Sequence, residues 1–263
     1  MTHLIRNIVC SMFLLTVACS AKSIEIFYGR LDPTDTGSPA IVLRGEIRTG
    51  DYEIVKRFAR LDTHKFHSST VVLASSGGDL VEAIRIGNFF RRTYMSVFVN
   101  PAIGRCASAC FLIYVAAVER GAMVPGLGIH RPYFPLQQSE NIPLDKMEQR
   151  HRTLSASVKR YLEEQQVPQY LIERMFSMAS TEISWLDRED LNSLGARAVW
   201  WDQVLVDRCK LNKELEQEYL KNGDESPRVS LAKEHLFKVA KCSYDISADE
   251  RLKNLKELLA LPK

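Results

Sequence analysis

At 263 residues and 46% hydrophobic composition, the chain is long enough to bury a full core. Its formal net charge is only +3, with both signs interspersed and no lysine- or arginine-rich run. A nucleic-acid partner held by a basic patch is thereby excluded from the expected functions.

Residues 1–21 read as a signal peptide: Arg6 without an acid in the first seven residues, an apolar run from Ile8 to Ala18, and the small residues Cys19-Ser20-Ala21. The apolar run is shorter than the roughly 20 residues of a membrane span. Thr16-Val17-Ala18-Cys19 also resembles a bacterial lipobox, with Thr16 where leucine is usual. Three outcomes stay open: cleavage near Ala21, lipid attachment at Cys19, and an uncleaved N-terminal anchor. The expected location is periplasmic or otherwise secreted, with membrane contact only through such an anchor.

From Ser23 to Phe27 the alternation predicts a strand, followed by a turn-rich stretch from Asp32 to Pro39. Ala40–Ile47 predicts a second strand and Asp51–Leu61 a helix. Thr70–Ala74 is a β-branched run suited to the centre of a parallel sheet. After Ser75-Ser76-Gly77-Gly78, Asp79–Arg92 predicts a helix with Leu80, Ile84, Gly87 and Phe90 inward. Ser96–Val99 is a strand. Ser108 starts a helix whose tail is apolar all round, and therefore buried. Ala122–Ile129 predicts strand and turn, and Pro143 to about Gln165 a long helix. Pro168–Met178 predicts another helix, Asp187–Gly195 a short one, and Arg197–Trp201 a last strand. Strands alternating with helices define an α/β layered fold. Residues 22–206 form that domain, and residues 207–263 a helical C-terminal appendage with helices at Val229–Ala240 and Asp249–Leu261 joined after a Gly223–Pro227 linker.

Beyond the leader the chain holds Cys106, Cys110, Cys209 and Cys242. In an oxidising compartment an even set implies disulfides. Cys209 with Cys242 is the favoured pair because both lie in the appendage. Cys106 and Cys110 either bridge locally or stay as two buried small apolar thiols.

The chemistry concentrates on Cys106-Ala107-Ser108-Ala109-Cys110. A serine hydroxyl needs a base within hydrogen-bond reach and amide donors for the oxyanion. Ser108 at a helix start has unpaired N–H groups around it, including that of Ala109. Gly78, lacking a Cβ, allows close backbone approach and a second N–H. His130, in Gly128-Ile129-His130-Arg131-Pro132, is the candidate base. Each feature also has a structural reading. Serine is a common N-cap, and Gly77-Gly78 can be a plain turn, with no third glycine for a dinucleotide fingerprint. His130 alone can be structural, and Arg131 serves either a substrate backbone or a nearby carboxylate. His64 and His67 read as a solvated loop, His151 as a partly buried packing residue, and Tyr94, Phe98, Trp200 and Trp201 as core or edge residues. No metal and no cofactor are expected.

Taken together, the strand into Ser76-Gly77-Gly78, Ala107-Ser108-Ala109 at a helix start about 30 residues on, and Ile129-His130-Arg131-Pro132 some 22 beyond resemble the Clp protease proteolytic subunit and the ClpP/crotonase superfamily. The similarity runs from about Ile41 to Asp202 and is strongest to small secreted Clp-protease-like bacterial proteins. It implies a ClpP/crotonase-like ββα superhelix, Ser108 as nucleophile, His130 as general base, and the Gly78 and Ala109 amides as oxyanion hole. It also implies a homo-oligomer and a peptide or unfolded-protein substrate. Trp185–Gly195 resembles the segment after the third triad residue, which puts Ile183 where the family carries aspartate. Glu182, one residue away, is the expected substitute and Asp187 a poorer one; a Ser–His dyad and an impaired site are the alternatives.

Two functions follow as expectations: an ATP-independent serine peptidase-like hydrolase of the cell envelope, or a catalytically impaired relative that binds a peptide or protein partner. Acyl-CoA chemistry, known in the crotonases, fits poorly with an exported chain.

Overall fold

A computed structural model describes residues 23–29, 39–68, 70–132, 143–222 and 227–260. The signal peptide, Cys19, most of the Asp32–Pro39 turn and most of the Gly223–Pro227 linker lie outside the described residues, as does the His67 side chain. In chain order the elements are β1 Glu25–Gly29, β2 Ala40–Arg44, α1 Asp51–Leu61, α2 Thr63–Ser68, β3 Val71–Ala74, α3 Leu80–Arg92, β4 Ser96–Val99, β5 Cys106–Ala107 and α4 Ala109–Ala116. There follow β6 Glu119–Ala122, β7 Leu127–Ile129, α5 Leu144–Glu164, α6 Gln169–Ser177, β8 Ser184–Trp185, α7 Arg188–Leu194, α8 Val199–Cys209, α9 Lys213–Asn222 and α10 Pro227–Leu258.

The main sheet has the order β1-β2-β3-β4-β6, with β1 antiparallel and the remaining neighbours parallel. Ile41–Leu43 and Val71–Leu73 are buried along their whole length, as the continuous apolar runs of a covered parallel sheet require. A second sheet, β5-β7-β8, stands beside it; β5 runs parallel to β7, and β8 antiparallel. Helix α4 joins the two layers and is buried at every position from Ala109 to Ala116. Burial pushes the Tyr114 phenol on this helix up to about 12, so it stays neutral in the core.

Several expectations are corrected. The 62–68 stretch is the short helix α2, whose Phe66 is fully buried against Phe58, Phe89 and Phe90, with His64 exposed on the same turn. Arg197–Trp201 is not a strand: Arg197 makes one bridge to Glu119 and the chain turns into α8. The aromatic run suggests a strand locally, but Ala198, Trp201 and Leu205 follow a helical period and pack on Val118, Leu211 and Val239. Where two helices were expected at Val229–Ala240 and Asp249–Leu261, the tail forms one, α10. No Gly or Pro interrupts 241–248, and Val239, Ser243 and Ile246 keep one inward face.

That tail packs on the α/β core. Leu255 and Leu259 join the main hydrophobic cluster. The buried Arg251 guanidinium donates to the Thr93 and Tyr94 carbonyls at 2.9 and 2.5 Å, and Asn254 donates to Arg92 O at 2.5 Å. These donors satisfy carbonyls at the end of α3 that have no intrahelical partner. Arg120 does the same inside the domain. Its buried guanidinium reaches Val115 O at 2.6 Å, Leu194 O at 2.5 Å and Gly195 O at 3.1 Å, joining the C-termini of α4 and α7.

Candidate active site

Three chain segments converge at the N-terminus of α4. From β3 the chain enters Ser75, whose carbonyl accepts from Ala107 N at 3.0 Å and whose Oγ accepts from Gly77 N at 3.1 Å. This buried serine ties the glycine turn to the strand that leads into Ser108. Gly77 and Gly78 have φ of +104° and +135°, values that a side chain rarely tolerates. A Cβ on Gly78 would stand 2.0 Å from the Ile47 carbonyl oxygen, and one on Gly77 would stand 2.5 Å from Ser108 Cβ. Asp79 then caps α3, accepting from Val81 N and Glu82 N at 2.9 and 3.0 Å.

Ser108 is the junction between β5 and α4. Its backbone has φ 57° and ψ −125°, a strained conformation for a non-glycine residue. Although it occupies the N-cap position, its hydroxyl caps nothing: no side-chain hydrogen bond reaches the helix, and its Oγ has no partner among the described residues. The plain N-cap reading therefore fails for this serine. Its N–H donates to Gly128 O at 3.1 Å, tying the turn to β7. The N–H groups of Ala109 and Gly78 enter no backbone hydrogen bond among the described residues. Cys106 and Cys110 form a disulfide with Cα atoms 5.3 Å apart, closing the turn around Ser108. Cys209 and Cys242 form the second, across a sequence separation of 33. Two such bonds indicate an oxidising environment.

His130 follows β7, whose neighbour β5 runs parallel into Ser108, so the two residues leave the same end of adjacent strands. The ring is buried, and Nδ1 lies 2.9 Å from the Arg131 carbonyl. A carbonyl only accepts, so in this bond Nδ1 carries the proton and Nε2 is the basic nitrogen. His151 of α5 donates to the Pro132 carbonyl at 3.3 Å and holds the segment after His130.

Opposite β7, the antiparallel register pairs Gly128 with Trp185 and Ile129 with Ser184. One step further, Ile183 stands across from His130 and shares its face. Its Cγ2 overlies Gly128, where a Cβ would meet it at 2.6 Å. Glu182 is exposed, and no hydrogen bond or ion pair joins its carboxylate to His130 among the described residues. Asp187 is engaged elsewhere, in the reciprocal capping box of α7 with Asp190.

Three features here escape sequence reasoning. Gly77, not only Gly78, abuts the serine. Ser75 anchors the turn through both its carbonyl and its hydroxyl. Arg105 stacks over Trp185 at 4.6 Å beside the site. The Ser-Ser-Gly-Gly spacing is the one local signal that pointed toward the first two.

The layered α/β architecture expected from the sequence is present, and the segments around Gly77-Gly78, Ser108 and Gly128 are joined by backbone hydrogen bonds and close packing. No protein-family description matches the chain, and neither does any curated protein. Among solved structures it is similar to a point mutant of the 1510-N membrane-bound stomatin-specific protease, at 16% identity over 62% of this chain and 80% of that one, with TM-score 0.43. A point mutant of ClpP1 from Listeria monocytogenes gives 20% identity over 59% and 86%, with TM-score 0.44. Another mutant of the 1510-N protease, in complex with a substrate peptide, gives 16% over 59% and 71%, with TM-score 0.42. At these identities the likeness concerns the fold alone.

Proposed function

We propose that the protein is an ATP-independent serine peptidase-like hydrolase of the cell envelope that acts on peptides or unfolded proteins. The observation that carries this reading is the backbone of Ser108, held at φ 57° with an uncapped hydroxyl and the free Ala109 amide beside it. Such strain is kept where it aims a group at a substrate. Ser108 attacks the scissile carbonyl, His130 Nε2 takes its proton and returns it to the leaving amine, and the Ala109 and Gly78 amides face the oxyanion. The Arg131 carbonyl replaces the usual carboxylate as partner of Nδ1–H. That carbonyl fixes the tautomer and itself brings no negative charge to the imidazolium. The leader, with cleavage near Ala21 or lipidation at Cys19, supplies export, and the fold resemblance supplies the homo-oligomer.

A second reading, a catalytically impaired protein that binds a peptide or partner, is favoured by Ile183 across from His130 and by the exposed position of Glu182. Labelling with a fluorophosphonate separates the two. The peptidase reading expects labelling of the wild type that disappears in Ser108→Ala and His130→Ala, with matching loss of cleavage of an unfolded protein. Equal labelling in wild type and Ser108→Ala would falsify it.

A further inference from the structure

Between α3 and α5 lies an open groove of about 800 Å³. Val81, Ile84 and Leu154 give it an apolar floor, and Val81 is 57% exposed. The stripe Lys146, Arg150, Thr153 and Ser157 of α5 lines its other wall. The lining contains three cations and no acid. Arg85 is already held by Glu82 at 2.6 Å and stacks on Tyr52. The side chains of Lys146 and Arg150, one turn apart on α5, have no hydrogen bond or ion pair among the described residues. Both walls lead back to the site: α3 begins directly after Gly77-Gly78, and α5 holds the His130 segment through His151 and Pro132.

We infer that this groove binds the substrate chain beside the scissile bond and selects segments in which leucine-like side chains alternate with Asp or Glu. This rests on the proposed peptidase reading and adds to it a substrate class. Apolar side chains cover Val81, Ile84 and Leu154, while carboxylates meet the two unpaired cations of α5. Gln149 and Ser157 offer hydrogen bonds to an extended backbone, and the Thr153 hydroxyl, which donates to Gln149 O, can still accept one. An anionic lipid would also satisfy the charges, but a groove whose two walls are tied to the glycine turn and to the His130 segment, and which carries polar side chains along one wall, fits a peptide better.

The test uses Ser108→Ala protein, so that binding is read without turnover. Anisotropy is measured with alternating Leu-Glu and Leu-Lys peptides carrying a neutral fluorophore. The acidic peptide is expected to bind about threefold to tenfold more tightly, as two solvent-exposed charge pairs allow. The preference should vanish in 0.5 M salt and reverse in the Lys146→Glu/Arg150→Glu variant. Equal affinity for the two peptides, no binding of either, or a preference untouched by charge reversal overturns the inference. Stronger competition by phosphatidylglycerol vesicles than by the unlabelled acidic peptide overturns it in favour of a lipid. Charge-selective binding without any cleavage by the wild type would instead overturn the peptidase reading and leave the groove's selectivity standing.

Discussion

Gly77 and Ser108 meet with no room for a side chain between them. A Cβ on Gly77 would stand 2.5 Å from Ser108 Cβ, 2.9 Å from Ala107 O and 3.0 Å from Ala109 N. One glycine thus packs against the candidate nucleophile and the amide beside it. Gly77→Ala should push the Ser108 turn away and also strain a backbone at φ +104°. We expect a stability loss of about 1–3 kcal/mol and a fall of at least tenfold in fluorophosphonate labelling rate. Thermal melting and labelling time courses check both, and normal labelling in a folded variant would show that the contact does not set the serine's geometry.

The two disulfides should act differently. In the chain-entropy model the Cys209–Cys242 loop contributes about 4 kcal/mol and the short Cys106–Cys110 loop about 2. Replacing Cys209 and Cys242 by alanine should lower the melting temperature and leave labelling of the still-folded protein unchanged. Replacing Cys106 and Cys110 by alanine should slow labelling several-fold, because the clamp around the strained Ser108 turn is released. The rates are compared well below each melting point. If replacing Cys106 and Cys110 alters stability alone, the clamp has no role in aiming the serine.

The turn at Ser108 was readable because its signals are local: small residues, a helix start and an apolar tail fall within ten positions. The same holds for β3 and its glycines, and for Ile183 where an acid was expected. What escaped depends on distant partners. Trp200-Trp201 looks like a strand until Val118 and Val239 supply a helix-packing surface. On α3, Gly87 and Phe90 are buried and Leu80 and Ile84 pack partly buried against the core as expected, but Ala83, Ile86 and Phe89 are buried as well, and Ile84 also borders the groove, because α4 and α2 decide which side is covered. The inner face of α10 is set by the core against which it lies. Arg120 carries no local signal of its role, which only the fold shows.

Arg120 provides the next prediction. Its guanidinium satisfies carbonyls at the ends of α4 and α7, and no water can easily replace it at 5% exposure. Arg120→Met should leave those carbonyls unpaired and cost roughly 3 kcal/mol, at about 1–3 kcal/mol for each buried unsatisfied group. Urea unfolding measures it, and a change below about 1 kcal/mol would show that the carbonyls find other partners.

Acid sensitivity should centre in part on Asp190. Burial alone would raise its carboxyl, but hydrogen bonds from Arg174 at 2.7 and 2.8 Å, from the Asp187 N–H and from Tyr170 outweigh that and hold it below its ordinary value. A carboxyl lowered by folding stabilises the fold above its unfolded value near pH 4 and loses that contribution as pH falls through the lower folded value. Wild type should therefore exceed Asp190→Asn in melting temperature at pH 7, with the gap closing below about pH 4. A gap independent of pH would mean that the asparagine variant fails through packing and not through lost charge.

The sharpest test of the third position is to place a carboxylate where Ile183 stands. Ile183 stands across the β7–β8 register from His130 and is 42% exposed, so a polar replacement costs little core. By the register, aspartate there shares the sheet face of His130, where it is expected to compete with the Arg131 carbonyl for Nδ1–H and also stabilise the imidazolium formed on proton transfer. Removing such a carboxylate from a complete triad costs about 10⁴ in rate; regaining part of it in Ile183→Asp should raise peptide cleavage at least tenfold. Ile183→Asn, which can accept the same hydrogen bond without charge, should give much less. A gain in Ile183→Asp that disappears in Ser108→Ala would locate the deficit in the third residue. No gain in a folded, labelled Ile183→Asp protein would mean that the carbonyl already does all the acid would do, and that the rate is limited elsewhere.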